Sequence, residues 1–274
     1  MPTPSELFRV EGKIAVVTGG LGQLGRQFVL TLADSGARVA VFDSRVDDAV
    51  VAVRFGERRH DPALRFYRVD VTDRASLEAG LHQVQELWGI PHILINNAAL
   101  DAPPHASAAE NGPFETYPES SLDTVLAVNL KGVILCCQVI GGAMAAAGRG
   151  SIINISSIYG LVSPDQRIYA YRAAQGTPFF KPVAYAVSKS GLLNLTRYLA
   201  TYWAARGVRV NTLTFGGVFN HQDEAFLREY CARVPLGRMA REDEYNGAIL
   251  FLASEASSYM TGANLVIDGG WTAW

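Results

Sequence analysis

Residues 14–26 read IAVVTGGLGQLGR. An apolar, β-branched run, Ile14–Thr18, ends in Gly19, Gly20, Gly22 and Gly25, and a helical pattern begins at Gln23. A short run that is apolar on both faces suits a strand buried in a parallel sheet. Glycines let the chain turn tightly and approach a pyrophosphate resting on the N-terminus of the next helix. Alone, Gly20-x-Gly22-x-x-Gly25 is weak, because glycines also make ordinary loops. Its position between the first strand and the first helix gives it weight.

The same alternation continues outward. Further strand-like runs are Val39–Phe42, Leu64–Val69, Ile93–Ile95, Ile152–Ile155, Val208–Leu213 and Leu265–Ile267. Helical patterns lie between them at Gln23–Ser35, Arg74–Trp88, Leu122–Ala147, Val183–Ala205 and Glu242–Ala253. This predicts an α/β fold of Rossmann type, a doubly wound parallel sheet with helices on both faces. No repeat or linker divides residues 1–274, so a single domain is expected. Two connections are long, Leu100–Pro118 and Ile158–Pro182. Long connections in compact domains are usually functional, and both follow strands, on the side where such sheets bind ligands.

The second strand ends at Asp43, eighteen residues after Gly25. A carboxylate there accepts hydrogen bonds from ribose hydroxyls and repels a 2′-phosphate, which favours NAD over NADP. Arg45 nearby pulls the other way, and Asp43 can also be a plain turn residue. Asp70-Val71 and Asn96-Asn97-Ala98-Ala99 close the next two strands and should border the same crevice, although each can equally be a cap or turn.

Composition narrows the function. Hydrophobic residues make up 49% and charged residues 18%, which excludes a disordered, highly solvated chain. Lys plus Arg is 24 against 26 Asp plus Glu, a net charge of −2, so no nucleic-acid partner is expected. Three cysteines, Cys136, Cys137 and Cys231, show no metal or disulfide spacing. No metal is expected, and a reducing cytoplasm is the natural compartment. The stretch Gly132–Gly148 is apolar except for Gln138. It reads as a helix buried in a soluble protein rather than a membrane span.

Tyr185-Ala-Val-Ser-Lys189 opens a helical pattern, and a spacing of four puts both side chains on one face. A phenol is too weak an acid to act as base at neutral pH, and a nearby ammonium lowers its pKa. Tyr185 can then move a proton in either direction. The pair also arises by chance. Ser157 ends the fifth strand, where its hydroxyl can bond a substrate oxygen, and Ser156 can cap the turn. Asn129, between Val128 and Leu130, is either a satisfied buried amide or a water site feeding protons to Lys189. The chain has no Gly-x-Ser-x-Gly elbow, His-Glu-x-x-His or P-loop lysine pattern.

Together these pieces resemble the short-chain dehydrogenases/reductases. The resemblance runs from Gly12 to Gly270 and rests on Thr18-Gly19…Gly25, Asp43, Asp70, Asn96-Asn97-Ala98, Asn129, Ser157, Tyr185-x-x-x-Lys189, Val210-Asn211 and Asp268-Gly-Gly270. It implies NAD(P)-dependent hydride transfer at an alcohol or ketone and a catalytic tetrad of Asn129, Ser157, Tyr185 and Lys189. Cofactor contacts are implied at Gly19, Gln23, Leu24, Asp43, Asp70, Val71, Asn97, Ala98, Tyr185, Lys189, Gly216 and Val218, with Lys189 on the nicotinamide ribose. It also implies a homo-oligomer, a tetramer before a dimer, through the long helices. The sequence departs from the family pattern in four places. Gln23 replaces a glycine and can contact the pyrophosphate, Ala99 replaces another glycine, Phe215-Gly216 replaces Pro-Gly, and the segment from Ser157 to Tyr185 is unusually long.

That segment carries Arg167, Arg172 and Lys181 against Asp165, together with five aromatic residues. It reads either as a surface or subunit feature, or as a cationic, aromatic wall for a sugar-like, anionic substrate. The stretches Ser163–Gln166, Lys181–Tyr185 and Gly216–Asn220 resemble a carbohydrate-associated branch of the family, with members in flagellin glycosylation and surface-sugar synthesis. Asn220 and His221 then become candidate substrate contacts, and Asp223–Val234 a mobile lid. The expected function is NAD(H)-dependent oxidoreduction of a small-molecule sugar or sugar acid. A 3-oxoacyl or steroid ketoreductase is the alternative enzyme, and a non-catalytic NAD-binding paralogue the alternative outside catalysis.

Overall fold

The structure, a computed structural model, describes residues 3–101 and 108–274; residues 102–107 of the first long connection lie outside them. Seven strands, β1 Ile14–Thr18, β2 Arg38–Asp43, β3 Leu64–Arg68, β4 Ile93–Asn96, β5 Gly150–Ser157, β6 Val208–Phe215 and β7 Asn264–Ile267, form one parallel sheet in the order β3-β2-β1-β4-β5-β6-β7. The order reverses beside β1, and Val17 pairs with Val41 on one side and Ile95 on the other. A crevice at the strand carboxyl ends is expected at such a reversal.

Each face of the sheet has its own apolar core. Leu21, Phe28 and Leu32 join Ile249 and Leu252 on one face. Val133, Ile140 and Met144 join Leu192 and Trp203 on the other. The long helix Glu119–Ala146 is apolar and long enough to cross a membrane by composition, yet half of that stretch is buried in the protein. Its regular winding widens into π turns at Ala127–Gly132 and Cys137–Gly141, an irregularity that often marks functional positions. Cys136 and Cys137 are fully buried here, and burial pushes both thiols up, Cys137 to about 12.

The second long connection is not structureless. It folds as the short helix Ile158–Leu161, a tight turn at Gln166–Tyr169 and the short helix Ala170–Ala174. Beyond β6, Asp223 caps the helix Glu224–Cys231. Tyr169, Tyr230 and Trp271 form a third apolar cluster with Tyr159, Phe179 and Phe226. Tyr230 stacks on Trp271 at 4.5 Å, and Tyr169 lies 5.7 Å from Phe226. Tyr159 of this cluster follows directly on the carboxyl end of β5.

Candidate active site

The glycine loop is built for close approach. Gly19 has φ +63°, and a Cβ on Gly25 would lie 2.1 Å from the Gly19 carbonyl oxygen, so neither position accepts another residue without moving the loop. Gly22 starts the helix Gln23–Asp34 without a side-chain cap, leaving its first N–H groups for an anion. Thr18 Oγ1 accepts the N–H groups of Asn97 and Ala98, and Asn97 Nδ2 donates to the Thr18 and Gly19 carbonyls at 3.1 Å. These bonds tie the loop to the end of β4.

Gly19, Gln23, Leu24, Asp43, Asp70, Val71, Asn97 and Ala98 all line one cavity of about 1090 Å³. Asp43 is buried; its carboxylate accepts the Leu21 N–H at 3.2 Å and the Arg45 N–H at 3.0 Å. It therefore shapes the loop as well as facing the cavity. Asp70 accepts from the N–H and hydroxyl of Thr72. Gly216 and Val218 lie outside this lining. Gln23 Nε2 reaches the neighbouring Phe219 carbonyl at 3.0 Å, linking the glycine loop to the segment after β6.

The proposed reacting groups meet at the carboxyl end of β5. Ser157 Oγ caps the following turn by accepting the Tyr159 N–H at 3.2 Å, and its hydroxyl is close enough to Tyr185 to pull that phenol down. Ser156 points the other way and donates to the Lys189 carbonyl at 3.0 Å. Ser157, not Ser156, thus caps the turn and faces the tyrosine. Tyr185 and Lys189 share the helix Val183–Trp203.

Lys189 Nζ donates to the Ile155 carbonyl at 2.9 Å and lies 5.8 Å from the Tyr185 ring centre. Burial lowers the lysine to about 8. The expected lowering of Tyr185 by Lys189 is not present in this structure. Burial, with the Asp101 charge, raises the phenol, and the Ser157 hydroxyl alone opposes that. The ammonium is bonded to the Ile155 carbonyl. Asn129 is fully buried. Its amide accepts the Leu100 N–H at 2.7 Å and donates to the Leu100 carbonyl and Ser188 Oγ. It clamps the first long connection onto the catalytic helix.

The open cationic wall, one of the two readings of the second connection, is not what folds. Arg167 is paired twice to Asp165 at 2.8 and 3.0 Å and points to solvent. Arg172 sits over the Phe179 ring. Lys181 pairs with Asp101, a residue the sequence reading missed because it belongs to no motif. Asn220 and His221 are exposed; His221 has φ +56° and packs on Phe219 at 5.3 Å. The lid helix is docked, with Tyr171 on Asp223 and Arg233 on Asp165, both at 2.8 Å. Among the described residues, no group of three or more His, Cys, Asp or Glu is placed to hold a metal.

Comparison with known proteins decides the family. The family model described as Enoyl-(Acyl carrier protein) reductase, a short-chain dehydrogenase/reductase model, matches residues 22–272. The chain belongs to the short-chain dehydrogenase/reductase family. D-threitol dehydrogenase of Mycolicibacterium smegmatis is 35% identical over 271 residues, covering 97% of this chain and 95% of that one. A short-chain dehydrogenase from Leptospira borgpetersenii, solved with bound NAD⁺, superposes with TM-score 0.82 at 32% identity, covering 99% of this chain and 97% of that one. A gluconate 5-dehydrogenase from Burkholderia cenocepacia, solved with NADP and tartrate, superposes with TM-score 0.83 at 28% identity, covering 98% of each chain. As a short-chain dehydrogenase/reductase with carbohydrate-linked relatives, this chain is an oxidoreductase of CH–OH groups.

Proposed function

We propose that this short-chain dehydrogenase/reductase oxidises a secondary alcohol of a sugar alcohol or sugar, with NAD⁺ as hydride acceptor. The observation that carries the reading is the meeting of Ser157, Tyr185 and Lys189 at the carboxyl end of β5, in a chain whose glycine loop and Asp43 line one large cavity. The crowded glycine loop and the uncapped helix start fit a dinucleotide. Gly19, Gln23 and Leu24 would hold its pyrophosphate, Asp43 its adenosine ribose, Asp70, Val71, Asn97 and Ala98 the walls around it, and Gly216 and Val218 the nicotinamide end. When bound, the cofactor takes up the hydride. Ser157 positions the substrate oxygen, Tyr185 accepts its proton, and Asn129 and Lys189 complete the proton path. The buried, raised phenol needs positive charge nearby to act as base, and Lys189 supplies it once ionised. The exposed Val187, Tyr198 and Tyr202 on the catalytic helix support a homo-oligomer packed through that face.

The test is NADH formation from NAD⁺ across neutral sugar alcohols, sugars, sugar acids, hydroxyacyl thioesters and steroids, with NADP⁺ in parallel. Turnover of the carbohydrate set with NAD⁺ is expected. Tyr185→Phe should lower kcat by about a hundredfold or more while NADH binding persists. Turnover confined to thioesters or steroids, or near-normal turnover by Tyr185→Phe, defeats the reading.

A further inference from the structure

Asp101 and Lys181 come from the two long connections, far apart in sequence. Lys181 Nζ lies 2.6 and 2.7 Å from the two carboxylate oxygens of Asp101. The same ammonium is 5.0 Å from the Tyr185 ring centre and 5.8 Å from that of Tyr159, nearer to Tyr185 than Lys189 is. The Lys181 backbone is fixed as well; its N–H donates to Gln166 Oε1 at 2.8 Å and its carbonyl accepts from Gln166 Nε2. Asp101 lines the cofactor cavity, and Lys181 lines a second cavity of about 770 Å³ walled in part by Tyr159 and Gln166. The pair therefore stands where the two spaces adjoin, beside the Tyr185 ring.

We propose that Asp101 and Lys181 form the specificity-determining pair of this site and select a neutral polyhydroxylated substrate over the corresponding acid. The inference rests on the carbohydrate-oxidoreductase reading above and narrows its substrate class. An ammonium in contact with a carboxylate leaves no net charge to draw in an anion. Both groups still have hydrogen-bonding capacity, because an ammonium has three donors and a carboxylate about four acceptor positions. A diol matches that pair by donating one hydroxyl to Asp101 and accepting from Lys181 with the other. A sugar acid would meet the like charge of Asp101 and would have to break the ion pair to reach Lys181. Of the other two cations of the connection, Arg167 is neutralised by Asp165 and Arg172 lies over the Phe179 ring.

The experiment compares D-threitol with D-threonate, which share a carbon chain and differ in one carboxylate. Binding of each to the full-length chain is measured calorimetrically in the presence of NADH, and turnover with NAD⁺ is followed separately. Wild type should bind D-threitol more tightly. Asp101→Asn should shift the ratio toward D-threonate by about tenfold or more, and Lys181→Gln should weaken D-threitol without gaining D-threonate. A ratio in Asp101→Asn within about twofold of wild type, a wild-type preference for D-threonate, or binding of neither ligand overturns the assignment. A switched ratio with no NADH formation by wild type on any carbohydrate overturns the carbohydrate-oxidoreductase reading and leaves the pair standing. NADH formation from D-threitol with an unswitched ratio does the reverse.

Discussion

Lys189 holds its proton against its surroundings. Burial depresses it to about 8, whereas the unfolded chain protonates the same group up to about 10.4. Below about pH 8 both states carry the charge, and the folded state bears the full cost of burying it. Between about pH 8 and 10 the unfolded chain binds more protons, so this group makes folding more favourable as pH rises, by up to about 3 kcal/mol. Lys189→Met removes that dependence. It also strands the Ile155 carbonyl that Lys189 bonds, a cost independent of pH. Urea unfolding at pH 7, 8, 9 and 10 should therefore show wild type gaining on Lys189→Met as pH rises; a constant difference would contradict the buried-charge account. The positions of Tyr185 and Lys189 were legible from spacing alone. Their electrostatics were not, because spacing gives the shared helix face and not which oxygen the ammonium meets. Asp101 was illegible for a related reason, since its partner, Lys181, is distant in sequence.

The lid and the long connection behave as one element. Asp165 takes Arg167 on one side and Arg233 on the other; the two guanidinium groups, Arg167 first, hold its carboxyl well below the usual range. Arg233 follows the helix Glu224–Cys231, so the carboxylate latches the lid to the connection. Asp165→Asn should speed tryptic cleavage within 223–234 several-fold, while global stability falls by only about 1 kcal/mol, because the pair is local and partly exposed. Unchanged cleavage would mean that the aromatic contacts of Phe226 and Tyr230 hold the lid unaided. The long helices were readable from their period. The pieces Ile158–Leu161 and Ala170–Ala174 were not, because four or five residues show no period and form only through tertiary packing. β5 runs past its apolar stretch for another reason. Ser151 donates to the Leu252 carbonyl and Ser156 to the Lys189 carbonyl, so polar residues fill strand positions that apolarity does not mark.

Across the whole molecule, strand count and parallel sense followed from alternation, and the crossover beside β1 places the glycine loop and Asp43 at one crevice. A ligand that binds only the folded state raises its stability by about 2.7 kcal/mol at a hundredfold excess over Kd. For a chain of this size that is a rise of several degrees in Tm. NAD⁺ should produce it, and NADP⁺ at equal concentration clearly less, because a 2′-phosphate would face the buried Asp43 carboxylate. Equal shifts would count against Asp43 as the discriminator and in favour of the exposed Arg45.

The burial of Cys136 and Cys137 reaches beyond packing. Thiolates are the nucleophiles in alkylation, and both of these thiols are enclosed with their ionisation suppressed. Cys231 is partly exposed and ends the lid helix. Toward a maleimide, the native chain is thus a single-thiol protein, with its one attachment point at the end of the helix Glu224–Cys231. A fluorophore there reads the packing of that helix in the unmodified sequence.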